Sequence, residues 1–292
     1  MKTSKYPINS KSSLVYPWHD MRWFLPGFLG WLLFYAIPFG ISILFSLFAN
    51  SAKIQLVWLN NYRAILLDST YILSLKNYAL FIIPVIIVIW ILSLSIAHAF
   101  FTIHKLYSLI GLLILPSFLP ASSIAAIWNA MFGSGSVLAK AIRMYDEQWK
   151  YISLFVLFLW KNIGNTIALY LVGMCSLDKS ILAAAQVDGA NGKIIFLRIE
   201  LPLLKNVSVF VMLLLLMNGV NIYRESYMLY GAYPPPNLFF VQHYINLSFT
   251  RLDFGLLSAA GIFFSGIILC VFSLFWKCLD YGGREEECES IH

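Results

Sequence analysis

Charge is scarce in this chain. Of its 292 residues, 12% are Asp, Glu, Lys or Arg, against roughly 25% in average soluble domains. With 60% hydrophobic residues and a mean hydropathy of +0.77, that shortage excludes an ordinary water-soluble domain. Cysteine is nearly as rare. Cys175, Cys270, Cys278 and Cys288 are the only four, and none stands in CxxC spacing, so neither a thiolate metal site nor a disulfide framework is indicated. They read as small apolar residues. Catalytic and nucleotide-binding signatures are missing too: GxxxxGK[ST], HExxH and GxSxG do not occur, and GSGSVLAK at Gly133–Lys140 has the wrong spacing for a phosphate loop. The net charge of +6 comes without a basic patch interleaved with aromatics, so no nucleic-acid partner is expected. No fixed-period repeat and no low-complexity tract is present.

Long apolar runs are what the chain has. A spanning helix needs roughly 20 mostly apolar residues, and six segments qualify: Phe24–Phe48, Asn77–Phe101, Leu106–Phe132, Ile152–Met174, Val207–Tyr227 and Leu256–Leu279. They are continuous, whereas barrel strands would alternate over about ten residues. Pro26, Pro38, Pro84, Pro116 and Pro120 fall inside them, which helix bundles tolerate because neighbours satisfy the freed carbonyls. The expected fold is therefore an all-α integral membrane protein of six transmembrane helices. Residues 1–23 form a tail, 24–280 one membrane domain, and 281–292 a second tail. The first apolar run exceeds the 7–15 residues of a signal-peptide core and lacks a small-residue cleavage pattern, so it is expected to stay as an anchor.

Six spans put both termini on one side. More Lys and Arg fall on that side than on the other, with Lys2, Lys5, Lys11 and Arg22 before the first span, which places the termini in the cytoplasm. On that assignment TIHK (Thr102–Lys105) is a tight inner hairpin. The outer loop after span one carries a short amphipathic helix, and GAYPPP in the loop after span five forbids a regular helix there. The sequons at Asn206 and Asn246 fall on opposite sides, so at least one is chance.

The longest inner connection, residues 175–206, contains AAAQVDGANGKIIFLRIELP (Ala183–Pro202). Asp178 or Ser180 is placed to N-cap a short helix through Val187. Gly189 suits its left-handed C-terminus, Asn191 a second cap, and Pro202 the first turn leading into the next span. Leu182, Ala185, Ile194, Ile195 and Leu197 are more apolar than a solvated linker needs, so something should cover them.

This stretch resembles the cytoplasmic signature of the membrane subunits of binding-protein-dependent ABC importers: Glu-Ala-Ala, three residues, Gly, nine residues, Ile-x-Leu-Pro. Ala183-Ala184-Ala185, then Gln186-Val187-Asp188, then Gly189, and nine residues later Ile199-Glu200-Leu201-Pro202, keep its order and spacing. Asp188-Gly189-Ala190 is the form common in sugar-importer subunits. WLNNYRAIL (Trp58–Leu66) and LDFGLLSAA (Leu252–Ala260) look like the family's outer Asn-Tyr segment and its lead into the last span. The likeness covers most of the chain and is closest to sugar permeases related to the larger maltose-transporter subunit, without that subunit's large outer domain.

The resemblance implies a type I importer transmembrane domain in a bacterial plasma membrane. It implies a coupling helix on an ATPase, with Ala183, Ala184, Ala185, Asp188, Gly189, Ala190, Ile199, Leu201 and Pro202 as the coupling residues. Partners would be a second homologous permease subunit, two copies of a cytoplasmic ABC ATPase, an extracellular sugar-binding protein and membrane lipid. This chain would be non-catalytic and bind no cofactor itself; ATP and Mg would be used by the ATPase. One departure is Ala183, where the family has Glu. With Ser180 as N-cap, position 183 would be N3, and Glu there would close a capping box.

Polar residues inside spans are costly and often functional. Candidates for a carbohydrate pathway are Asn162 and Asn165 in span four, and Asn218, Gly219, Asn221, Ile222 and Tyr223 in span five, with positions 218, 221, 222 and 225 sharing a side. The bland reading is that these amides glue helices together. Arg224 and Glu225 read as snorkelling or ion-paired, and His98 as a hydrogen-bonded interior residue. An ion-coupled secondary transporter is the alternative function. It would need buried ionisable groups and inverted repeats, and few of the first and none of the second are found. An intramembrane enzyme or a channel lacks even a catalytic constellation or a ring of pore charges.

Overall fold

A computed structural model describes residues 21–49, 55–103, 108–133 and 147–289. Its regular structure among these is helical, apart from one antiparallel bridge between Phe48 and Leu56. Five helical stretches are long and apolar enough to cross a membrane: Phe24–Leu47, Ser69–Thr102, Gln148–Cys175, Lys205–Tyr230 and Phe254–Lys277. They are called spans one, two, four, five and six. The span expected at 106–132 is instead a pair, Ile110–Phe118 and Ala121–Phe132, bent by 108°. Its cause is local. Pro116 lies in a 3-10 turn, and Pro120 is extended at φ −65°, ψ 152°, a proline pair that cannot continue one helical ladder.

Spans two and four pack along each other at the centre, with span five against both and span six against span five. Span six reaches span two through Tyr71 and Tyr78, whose rings meet Phe263 and Phe264. The core between them is aromatic. Phe81 and Phe240 are fully buried, with ring centroids 5.4 Å apart. Span one is peripheral, leaning chiefly on span six, with Ser46 its buried residue.

The two outer segments singled out in the sequence meet here. Asn60–Leu67 forms the expected short helix. Asn61 Nδ2 donates to the Ser46 and Phe48 carbonyls at 2.8 and 2.9 Å, and the Tyr62 hydroxyl pairs with Ser46 Oγ at 2.8 Å. Gly255 then approaches so closely that a Cβ would stand 2.9 Å from the Phe48 carbonyl and 3.0 Å from Asn61 Nδ2. WLNNY and LDFG thus clasp the ends of spans one and six.

Span two starts at Ser69, earlier than the apolar run suggests, because Asp68 caps it by accepting from Thr70 N at 2.8 Å. Tyr244 donates its hydroxyl to the same carboxylate at 2.8 Å. Burial opposes ionisation of Asp68, but these bonds outweigh it and hold its pKa below the usual range. Tyr244 belongs to helix Val241–Thr250, which lies in what the sequence presents as a plain outer loop. Span six runs on as helix to Glu289, so the acidic tail continues it. The inner hairpin TIHK and the GSGS loop fall largely outside the described residues.

Candidate functional site: a coupling segment and a polar seam

Between spans four and five the chain builds what its residues dictate. Asp178, not Ser180, is the N-cap: its Oδ1 accepts from Ser180 N at 2.8 Å, which keeps the carboxyl below its ordinary pKa. The helix Lys179–Val187 therefore has Ile181 at N3, and Ala183 lies deeper. A Glu at 183 would not close a capping box, and that part of the sequence reading is corrected.

The helix ends as expected at Gly189, whose φ is +81°. Gly189 N bonds the Gln186 carbonyl at 3.1 Å and Ala190 N the Ala185 carbonyl at 3.0 Å, the paired closure of a Schellman end. Asn191 Oδ1 then accepts from Ile194 N at 2.9 Å and caps Gly192–Ile195. A π-turn over Phe196–Glu200 and a short turn Leu201–Leu203 holding Pro202 lead into span five.

Of the apolar residues expected to be covered, Ile195 is buried and Leu182 and Ala185 are half-buried. Ile194 and Leu197 stay exposed, together with Ile181 and with Val187 at 88%. Ala183, Ala184, Asp188 and Pro202 are exposed around them, while Ala190, Ile199 and Leu201 are half-buried. Glu200, the variable position of Ile-x-Leu-Pro, is buried, and its Oε2 lies 2.7 Å from His98 Nδ1 in span two. The Phe196 ring packs on that imidazole at 4.5 Å between centroids.

Deeper in the membrane a polar seam joins spans four and five. Asn162 is buried; it donates to the Phe158 carbonyl at 2.8 Å and accepts at Oδ1 from Asn218 Nδ2 at 2.8 Å. Lys161 pairs with Glu225, a carboxylate with 3% side-chain exposure. Gly219 lets span five close on span two, since a Cβ there would stand 2.6 Å from Ile82 Cδ1. Gly164 does the same for the bent pair: a Cβ would fall 1.8 Å from the Leu113 carbonyl oxygen.

Span five breaks at Asn221, between Lys205–Val220 and Ile222–Tyr230. Gln242 Nε2 takes up the Val220 carbonyl at 2.8 Å, supplying from a neighbour what the ladder loses. The break separates residues expected on one side. Ile222 and Glu225 are buried, whereas Asn221 and Arg224 are exposed, and Asn165 and Tyr223 are half-buried. Tyr223 packs edge-on against His243, 4.7 Å between centroids.

The structure thus joins Asn162 to Asn218 and places Gly219 beside them. Asn221 and Arg224 are set apart on the exposed side of span five: Asn221 Nδ2 donates to the Met217 carbonyl of its own span at 3.2 Å, and no described side chain pairs with either residue. Sequence reasoning missed the partners of Glu225 and His98. Their signal was the rarity of charge in these spans, since a buried ionised group is paired.

The described residues thus form a bundle of membrane-length helices with a polar seam between spans four and five and a capped segment at one end. The chain is related to, and folded as, a permease subunit of ABC importers. It is 29% identical over 231 residues to the arabinooligosaccharides transport system permease protein AraP of Bacillus subtilis, covering 73% of this chain and 72% of that one. In fold it matches the crystal structure of a bacterial ABC transporter involved in import of the acidic polysaccharide alginate. The TM-score is 0.75 at 18% identity, over 89% of this chain and 94% of that one. The bacterial alginate transporter in complex with an alginate pentasaccharide-bound periplasmic protein matches at 0.75 and 16% identity, over 88% and 92%. No family model matches the chain.

Proposed function

We propose that this chain is one of two membrane subunits of an ATP-driven carbohydrate importer in a bacterial plasma membrane. In this reading segment 178–204 seats on a cytoplasmic ATPase. The observation that carries it is an exposed apolar set between spans four and five: Ile181, Val187 and Ile194 on two short, capped helices and Leu197 on the π-turn that follows. Apolar groups held rigid on a small projecting element suit a partner's groove, because the ordering cost of docking is already met.

Both termini would be cytoplasmic, ATP and Mg would be handled by two copies of the ATPase, and a homologous permease would cover the exposed face of span five. There Asn221 and Arg224, with Asn165 and Tyr223 behind them, would line the path for sugar delivered by an external binding protein, oligosaccharide in form as for the AraP relative. Asn162, Asn218, Gly219 and Ile222 would brace that face. A secondary transporter would need ionisable groups free to load and release ions, whereas Glu200 and Glu225 are each paired.

The test is co-purification from native membranes in mild detergent, wild type beside Val187→Glu. Val187 is preferable to Gly189, whose φ of +81° would strain any side chain. An ATPase and a second permease should accompany wild type, and the ATPase should be lost from the variant. A chain that purifies alone in both cases refutes the proposal.

A further inference from the structure

At the end of the bundle away from the coupling segment lies a cavity of about 650 Å³, within the roughly 300–1,000 Å³ of small-molecule sites. Helix Ala121–Phe132, the start of span four, the end of span five and the Pro234–Pro236 stretch line it, and it is open on one side. The bend at Pro120 creates it, by turning the second half of the broken pair against Ile222–Tyr230.

Its walls are held, yet its facing groups are not used. Trp128 Nε1 donates to Ser153 Oγ at 2.6 Å and the Tyr230 hydroxyl to the Lys150 carbonyl at 3.1 Å, fixing the frame. By contrast, among the described residues Trp149 and Tyr233 stack on no other ring, and the Lys150 ammonium and Asn129 amide have no hydrogen-bond or ionic partner. Tyr233 is 75% exposed. The tri-proline stretch keeps this side stiff: Pro235 is extended at φ −50°, ψ 148° and Pro234 is buried.

Two free aromatic faces, an amide and a cation around one concavity are complementary to a sugar ring. The electron-rich ring faces attract its C–H groups, the amide serves as both donor and acceptor to hydroxyls, and the ammonium attracts a carboxylate. We propose that this cavity is a saccharide-binding site at the outer mouth of the pathway, separate from the polar face of span five. It stacks a sugar ring on Trp149 or Tyr233, and Lys150 favours uronate units over neutral ones. The proposal rests on reading the chain as a carbohydrate permease. An interfacial belt also collects Trp and Tyr, but a belt needs no concavity and no unpaired amide.

The experiment is isothermal titration of the full chain in lipid nanodiscs, without ATPase, using arabinotriose, maltotriose and tri-mannuronate as probes. Wild type should bind at least one saturably. Trp149→Ala and Asn129→Ala should weaken binding at least tenfold, Trp149→Phe should retain most of it, and Lys150→Met should reduce tri-mannuronate selectively. Melting temperatures of the variants in nanodiscs, unchanged from wild type, show that each loss is local. No saturable binding of any probe, or equal binding by wild type, Trp149→Ala and Asn129→Ala, overturns the proposal. The two readings fail separately. An ATPase that co-purifies with a chain binding no probe refutes only the cavity site, and a chain that binds saccharide but purifies alone refutes only the importer assembly.

Discussion

His98 Nδ1 and Glu200 Oε2 lie 2.7 Å apart, tying the C-terminal end of span two to the segment that follows span four. The carboxylate is buried and the imidazole about one-third exposed, so the pair holds the segment before span five against a central span. His98→Ala leaves the carboxylate unpaired, which costs about 1–3 kcal/mol. Thermal unfolding in nanodiscs should show a lower Tm for that variant and a partial recovery in His98→Ala/Glu200→Leu. Equal Tm values for wild type and His98→Ala would show that the contact bears no stability.

Lys161 and Glu225 should behave likewise within the membrane. Lys161→Met strands a buried carboxylate and should cost about 3–5 kcal/mol, whereas the double variant Lys161→Met/Glu225→Leu should return close to wild-type stability. Chemical denaturation in mixed micelles distinguishes the two outcomes.

Gly164 admits no side chain. With the Leu113 carbonyl 1.8 Å from a Cβ position, Gly164→Ala must push backbone from backbone and should cost about 1–3 kcal/mol or more. Gly27→Ala, where nothing lies within 4 Å, should be silent in the same melting assay.

Much of this was legible in the sequence, and the boundary is physical. Apolar length announces a span, cap residues announce the ends of a coupling helix, and spacing announces the signature; these are local properties. Asp178, Gly189 and Asn191 were readable for that reason. The break of span five at Asn221, by contrast, turns on which neighbour accepts the freed ladder: the Val220 carbonyl is rescued by Gln242, a residue 22 positions away. Likewise Glu225 finds Lys161 across 64 positions and Glu200 finds His98 across 102. Such pairings follow from tertiary packing, which periodicity does not encode.

His243 should make stability depend on pH. It is buried; its Nδ1 accepts from Phe240 N at 3.1 Å, and desolvation lowers its pKa from 6.5 to about 4. Between those values the unfolded chain holds the proton and the folded chain does not, so stability is full above pH 6.5 and falls as pH drops toward 4. The loss from this group is on the order of 3 kcal/mol. Melting curves at pH 7 and 4.5 should diverge, and His243→Gln should narrow the gap.

Ala183 is exposed on helix Lys179–Val187, the proposed docking helix. Since Asp178 already caps that helix, Ala183→Glu should leave folding unchanged and preserve or strengthen coupling to the ATPase. Stimulated ATP hydrolysis by the purified complex measures it, and a sharp fall would count against the proposed docking.

The most direct test places a photo-crosslinking amino acid at Val187 in native membranes and identifies the adduct by mass spectrometry. The account predicts a single major adduct with an ABC-type ATPase, abolished when Ile181 and Ile194 are changed to Glu. Adducts with lipid alone, or none, would show that the segment faces no ATPase and would contradict the importer reading at its centre.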